Sequence, residues 1–186
     1  MNRRYYKERI KHAFRFRTKR GYGVHSPFMF NLIMTVLRDK KSNLYTYPNF
    51  SARKRADRKL LRLSYRLMLH LKMEKVFILG NRGDMLMQSI PAFEYETSLE
   101  NIKSCNYVWL DNNNIDEREL LQTLQLWARG INEHHSILIT NIHKSPQQRT
   151  IWQALSREAK VKVEMMWCGV LIFDEKLQSG SYHLLP

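Results

Sequence analysis

The segment VFILGNRGDM, residues 76–85, runs four apolar residues into Gly80, then a short polar stretch, Gly83 and Asp84. A buried strand ending in such a turn lets the backbone approach a nucleotide closely, because glycine has no Cβ and tolerates positive φ. Gly80 and Gly83 are therefore the cofactor-binding candidates. His143, in the stretch TNIHKS, is the catalytic candidate. An imidazole with an ordinary pKa near neutrality can serve as general base on a substrate hydroxyl, although a histidine opening a loop more often only hydrogen-bonds the backbone. His134 and His135 read as a polar turn. Cys105 and Cys168 stand far apart with no C-x-x-C spacing, which supports neither a disulfide framework nor a zinc site and fits a reducing, cytoplasmic setting. Met165, Met166 and the four tryptophans, Trp109, Trp127, Trp152 and Trp167, read as core filling.

The elements that must position these residues follow from periodicity. VFIL, YVWL (107–110) and SILIT (136–140) are short apolar runs of the kind that form fully buried strands of a parallel sheet. Between the last two, Asn114 followed by Glu117 predicts a helix start and Gly130 its end. Ser145 and Pro146 open another helix through about residue 160, with Ile151, Trp152 and Leu155 inward. VKVEMMW and GVLIFD then sit so close together that only an antiparallel pair suits them. Upstream, residues 5–17 have the spacing of an amphipathic basic helix. Ser26 and Pro27 predict the start of a helix to about residue 39, and residues 52–72 a third helix with a leucine stripe (Leu60, Leu63, Leu67, Leu71) and a basic stripe (Arg55, Arg58, Arg62, Arg66).

Charge is placed unevenly. The 186-residue chain carries a net charge of +14, yet residues 1–72 hold 20 Lys or Arg against Glu8, Asp39 and Asp57, a balance of +17, and the remainder is slightly acidic. A field this lopsided attracts polyanions by a salt-sensitive mechanism that does not depend on sequence. The polyanion-binding candidates are Arg15, Arg17, Lys19, Arg20, Arg53, Lys54, Arg55 and Arg58. Nucleic acid is the first expected partner, because Tyr5, Tyr6, Phe14 and Phe16 alternate with the basic residues and could stack on bases. An anionic membrane surface, met by the helix at 52–72, is the second, and a merely solvated basic face is the bland alternative. The longest apolar stretch, residues 28–37, is far short of the ~20 residues a membrane span needs. The basic start has no apolar core of a secretory signal.

A glycine turn after one strand, Asp111 after the next, TNIHKS after a third and the terminal hairpin VEMMWCGVLIF together resemble the class I S-adenosylmethionine-dependent methyltransferases, at the catechol O-methyltransferase-like end of that superfamily. More narrowly, RTKRGYGVHSPFMF and ILITNIHKSPQQRTIWQAL resemble a methyltransferase-like family typical of Bacteroidetes. The resemblance implies an α/β fold: a truncated Rossmann-like methyltransferase sheet of parallel strands with a C-terminal antiparallel hairpin over residues 51–186, preceded by a basic helical extension over residues 1–50. It implies S-adenosylmethionine as the cofactor, Gly80, Gly83 and Asp111 as its contacts, and, for a divalent cation, Asp111 and Asn141 as vestigial ligands.

Several residues depart from that pattern. Ile78 holds the place of the acid expected near the end of the first strand. Arg82 would face a cationic sulfonium, and like charges repel. Thr140 stands where the second metal carboxylate belongs, so no metal is expected. The 27 residues at 80–106 are too few for three crossovers and two further strands; at most one helix near 84–90 and one short strand near 92–97 fit. Glu94, Glu96 or Glu100 could supply a substitute acid, but a solvated loop is the simpler reading. The expected function is a methyltransferase-like protein with eroded cofactor and metal sites and little or no activity; the alternative is a non-enzymatic binding module that uses its basic N-terminal helices.

Overall fold

The computed structural model describes residues 6, 7, 10, 26–37, 45–50, 54–80, 82–112, 114–130 and 134–184. Of the helix expected over 5–17, only Tyr6, Lys7 and Ile10 are described, each helical and exposed. Helix α1 (Pro27–Leu32) begins as its sequence dictates: the Ser26 hydroxyl accepts from the Met29 N–H at 3.4 Å, and Pro27 sits where no donor is needed. It widens into a π-turn over Ile33–Leu37. Helix α2 (Arg55–His70) turns Leu60, Leu61, Leu63, Leu67 and Met68 inward.

Seven strands form one sheet: β1 (Lys75–Leu79), β2 (Glu94–Glu96), β3 (Tyr107–Leu110), β4 (His135–Thr140), β5 (Val161–Glu164), β6 (Cys168–Phe173) and β7 (Gly180–His183), in the order β2-β1-β3-β4-β6-β5-β7. Only β6 runs against its neighbours, pairing antiparallel with β4 and β5; every other adjacent pair is parallel. The protein is thus α/β and Rossmann-like, with a mostly parallel sheet and an antiparallel C-terminal pair. The alternation of side chains along each strand builds a core on both faces. Val76, Ile78, Tyr107, Trp109 and Leu138 pack with α1, α2 and Leu86 of α3 (Gly83–Ser89). Phe77, Val108, Leu110, Ile137 and Ile139 pack on the other face with Leu120, Leu124 and Trp127 of α4 (Glu117–Gly130) and Ile151 and Leu155 of α5 (Pro146–Leu155). The basic helix α2 is therefore one wall of the sheet's own core.

The segment between β1 and β3 holds α3, the three-residue β2 and a 3₁₀ turn over Leu99–Ser104, as its length allows. Four local expectations are corrected. Asp116, not Asn114, caps α4: its carboxylate accepts the Arg118 and Glu119 N–H groups at 3.0 and 3.1 Å, because the helix starts two residues later than the Asn114 pattern requires. His135 is no turn residue; it opens β4, buried, stacked on Phe173 at 5.0 Å and edge-on to Trp127 at 4.9 Å. Cys168 and Gly169 lie within β6 rather than between strands, with the Trp152 ring seated on Gly169 where a Cβ would collide. Helix α5 stops at Leu155, short of residue 160, and the Lys160 N–H turns to Ile172 O in the sheet.

The capping assignment is directly testable by urea denaturation. Asp116→Ala should lower stability by about 1 kcal/mol, while Asn114→Ala should stay within about 0.5 kcal/mol of the parent.

Candidate functional site

The chain leaves β1 for β2 on one side and then returns to place β3 on the other, so the sheet order reverses at β1 and β3. In open α/β sheets, ligands bind in the crevice beyond the carboxyl ends of the strands at such a switch point. Gly80, Arg82 and Gly83 follow β1, Asp111 follows β3, and Thr140 closes β4; the structure brings these residues together there.

The crevice is filled by the chain's own charges. Asp111 is 2% exposed. The Arg82 guanidinium grips it with both arms, Nε to Oδ2 at 2.7 Å and Nη2 to Oδ1 at 2.6 Å. The Thr140 hydroxyl donates to the same Oδ1, and the buried Gln148 amide donates to the Asp111 carbonyl at 2.8 Å. The third arm of Arg82, Nη1, reaches Asp57 on α2 at 3.0 Å. Burial by itself would raise the Asp111 carboxyl; hydrogen bonds from Arg82 and Thr140 outweigh it and hold the group below the ordinary carboxylate range. The hydrogen bond to Asp111 in turn raises the Arg82 pKa. The residue that the sequence pattern offers to a ribose is bound to an arginine.

The glycines have internal explanations as well. Gly80 has a φ of 111°, and a Cβ there would lie 2.7 Å from the Asn112 carbonyl oxygen, so its neighbour is the β3 loop. A Cβ on Gly83 would collide with Cγ2 of Ile78, the side chain that stands in the place of the missing acid. Asn141, the other residue that the resemblance offered to a metal, occupies the left-handed region at φ 55° and makes the turn after β4, its N–H donating to Trp167 O at 2.8 Å. Among the described residues, no group of three His, Cys, Asp or Glu side chains converges to hold a metal. Glu96 is committed to Lys75 at 3.3 Å and Asn101 at 3.1 Å.

His143 lies elsewhere on the same edge of the sheet. It is buried beside Glu164 at the end of β5, Nε2 to Oε1 at 3.5 Å, and His183 of β7 meets the other oxygen at 3.2 Å. Cys168 is buried, and burial pushes its thiol up to about 12, favouring the protonated thiol at neutral pH.

The open site is on α2. Arg55, Arg58, Lys59 and Arg62 share one helix face and, with residues 48–50 of the connector, line a cavity of about 490 Å³. No acid is among its lining residues. Asp57, the single acid in the first turn of α2, has turned to Arg82. Among the described residues, Arg55 and Arg58 make no ion pair or side-chain hydrogen bond. Arg62 lies over the Tyr47 ring at 5.0 Å with its Nε buried and without a hydrogen-bond partner, and Lys59 lies over the Trp167 ring at 4.8 Å. Arg66, expected in the same stripe, is instead buried and donates to the Tyr47 hydroxyl at 2.8 Å. Of the polyanion candidates, Lys54, Arg55 and Arg58 are exposed on or beside α2, whereas Arg15, Arg17, Lys19, Arg20 and Arg53 lie outside the described residues.

No protein-family model, curated protein or solved structure matches this chain. Sequence reasoning missed the roles of Asp57, Gln148 and Lys59. The pairing of Arg82 with Asp111 had a usable signal: an arginine between two glycines beyond one strand, and an aspartate beyond the strand that must lie beside it.

Arg82→Met should destabilise the fold by about 3 kcal/mol at neutral pH by stranding a buried carboxylate. The sign with pH follows from linkage. In the parent, the depressed Asp111 pKa contributes stability above the unfolded carboxylate value, lost as pH falls through the folded value. In the variant, burial is opposed only by the Thr140 hydroxyl and the Asn112 backbone, so that pKa rises relative to the parent and the deficit should shrink as the pH is lowered towards about 4.5, as urea denaturation at the two pH values would reveal.

Proposed function

We propose that this chain is a binding module rather than an enzyme: a methyltransferase-like scaffold whose cofactor position is closed and whose basic α2 face takes nucleic acid. The observation that carries this reading is the cavity on α2 lined by cations that have no acidic partner among the described residues, together with a switch point whose carboxylate is already committed. Seating an adenosyl group on Asp111 would require separating a buried, doubly hydrogen-bonded ion pair, a loss of about 3–5 kcal/mol that the cofactor's contacts would first have to offset. Phosphates need no such opening at Arg55, Arg58 and Arg62, and a guanidinium matches phosphate geometry with two parallel donors.

Nucleic acid is favoured over an anionic membrane by the orientation of α2. A helix that binds a bilayer must bury its apolar face among lipid, but Leu60, Leu61, Leu63, Leu67 and Met68 are already buried against the sheet. What remains exposed is the charge of Arg55 and Arg58, with Ala56 and Leu69 too few and too far apart to form an apolar face. Among the described residues, no helix is long and apolar enough to cross a membrane.

Two measurements test the reading. Calorimetric titration with S-adenosylmethionine and S-adenosylhomocysteine should give neither heat nor a thermal shift at millimolar ligand; a clear binding isotherm would overturn the closed-site half. Fluorescence anisotropy with single-stranded RNA should show binding with a log–log salt slope of about −2 for roughly three neutralised phosphates, so that a fourfold rise in salt weakens it roughly twentyfold. Binding that ignores salt, or that goes to anionic vesicles instead, would overturn the nucleic-acid half.

A further inference from the structure

At about 490 Å³ the α2 cavity falls within the ~300–1,000 Å³ range of small-ligand sites, room for one phosphorylated nucleotide. Its cations recur at positions 55, 58, 59 and 62, one face of a helix, and span about 10 Å along the axis at 1.5 Å per residue. Residues 48–50 stand opposite them. Phe50 is buried and the Tyr47 ring lies beneath Arg62, so neither ring is offered as a free platform for stacking a base. The recognition available in this pocket is of charge.

The charge density of the pocket exceeds what a strand interior can match. An internal phosphodiester carries a single negative charge, whereas a terminal phosphomonoester carries about −1.5 to −2 at neutral pH and offers three acceptor oxygens. Four clustered cations with no acid among the lining residues complement the second far better than the first. A free small phosphate would explain the pocket but not its surroundings: residues 1–72 have a balance of +17, far more than one small anion can use. A pocket for one dense anion, on a chain whose first 72 residues carry a balance of +17, fits the phosphorylated end of a polyanion better than a small free phosphate.

We infer that the cavity formed by Arg55, Arg58, Lys59 and Arg62 is a subsite for the terminal phosphomonoester of a single-stranded nucleic acid. This rests on the nucleic-acid reading above and sharpens it from backbone attraction to recognition of an end. The Arg82–Asp57 contact serves the subsite indirectly. By drawing the acid of the first turn of α2 towards the sheet, it keeps that negative charge from neutralising the pocket.

The test compares short single-stranded RNA oligonucleotides of one sequence bearing a 5′-phosphate, a 3′-phosphate or hydroxyls at both ends, by competition anisotropy at moderate salt. One phosphorylated end should bind about tenfold more tightly than the hydroxyl form, the gain of one charge-assisted, bidentate contact. The two phosphorylated probes identify which end is read. In Arg55→Gln/Arg58→Gln, which removes two cations without ion pairs or side-chain hydrogen bonds among the described residues, that preference should vanish while the hydroxyl-ended RNA loses no more than about threefold to tenfold. An unchanged melting temperature would establish that the variant is folded. Equal affinity of the parent for all three probes overturns the terminal subsite and leaves general RNA binding standing. A preference that survives in the variant places the end elsewhere and also overturns it. Failure of every probe to bind overturns the nucleic-acid function itself.

Discussion

A carboxylate that is 2% exposed must have a cation, and the source of that cation decides much of this structure. Asp111 lies at the end of β3, beside the end of β1, and the chain supplies Arg82 from the turn after β1. Neighbouring features follow. The turn must carry Arg82 over the sheet edge, so Gly80 takes a positive φ against the β3 loop, and Gly83 opens α3 directly over Ile78. The third arm of the guanidinium then fastens α2 through Asp57. One ion pair thus links β1, β3 and, with the Thr140 hydroxyl, β4 to the helix that covers them.

That linkage joins the closed site to the open one. In an isolated helix, like charges three and four residues apart repel by roughly 0.2–0.5 kcal/mol per pair, and cations in the first turn also oppose the helix dipole. Helix α2 accepts both penalties at Arg55, Arg58, Lys59 and Arg62 because its stability comes from the leucine face packed on Tyr107 and Trp109, and not from its surface. Asp57, the acid in the first turn of α2, is placed to relieve the repulsion, yet it points to Arg82. A surface left with an avoidable electrostatic cost is one that an anion stabilises on binding.

The sequence made the frame legible where a single local force decides the outcome. Short apolar runs gave β1, β3, β4 and β6, and Ser–Pro pairs gave the starts of α1 and α5, because burial and capping act there without competition. It was illegible where the decision was tertiary. Strand β7, GSYH, has no apolar pattern of its own and exists because β5 offers it an edge. His135 looks polar but is buried by Trp127 and Phe173. At the switch point, the glycines were readable as a turn and Asp111 as a strand end, but their use was not. The same residues would suit a nucleoside or a salt bridge, and only the position of Arg82 separates the two. The basic stripe on α2 was readable almost residue by residue; the diversion of Arg66 to Tyr47 depends on a connector whose path the sequence does not reveal.

The position of the Arg82–Asp111 pair within the sheet supplies a reason for it. Strand β4 is central in the order of seven, and the longest pairing, over six residues, joins it to β6. The switch point lies on the other side, where only the three-residue β2 stands beyond β1. A short edge strand contributes little pairing and leaves β1 with few neighbours to fix its end. With only 27 residues available between β1 and β3, the chain has no further helix–strand unit to brace that flank. A bidentate ion pair across the ends of β1 and β3, tied onward to α2, supplies the missing constraint with four residues instead of a further helix and strand. An empty cleft at this place would loosen the flank that can least bear it, so in this short chain closure of the crevice and stability of the β1 edge are the same requirement.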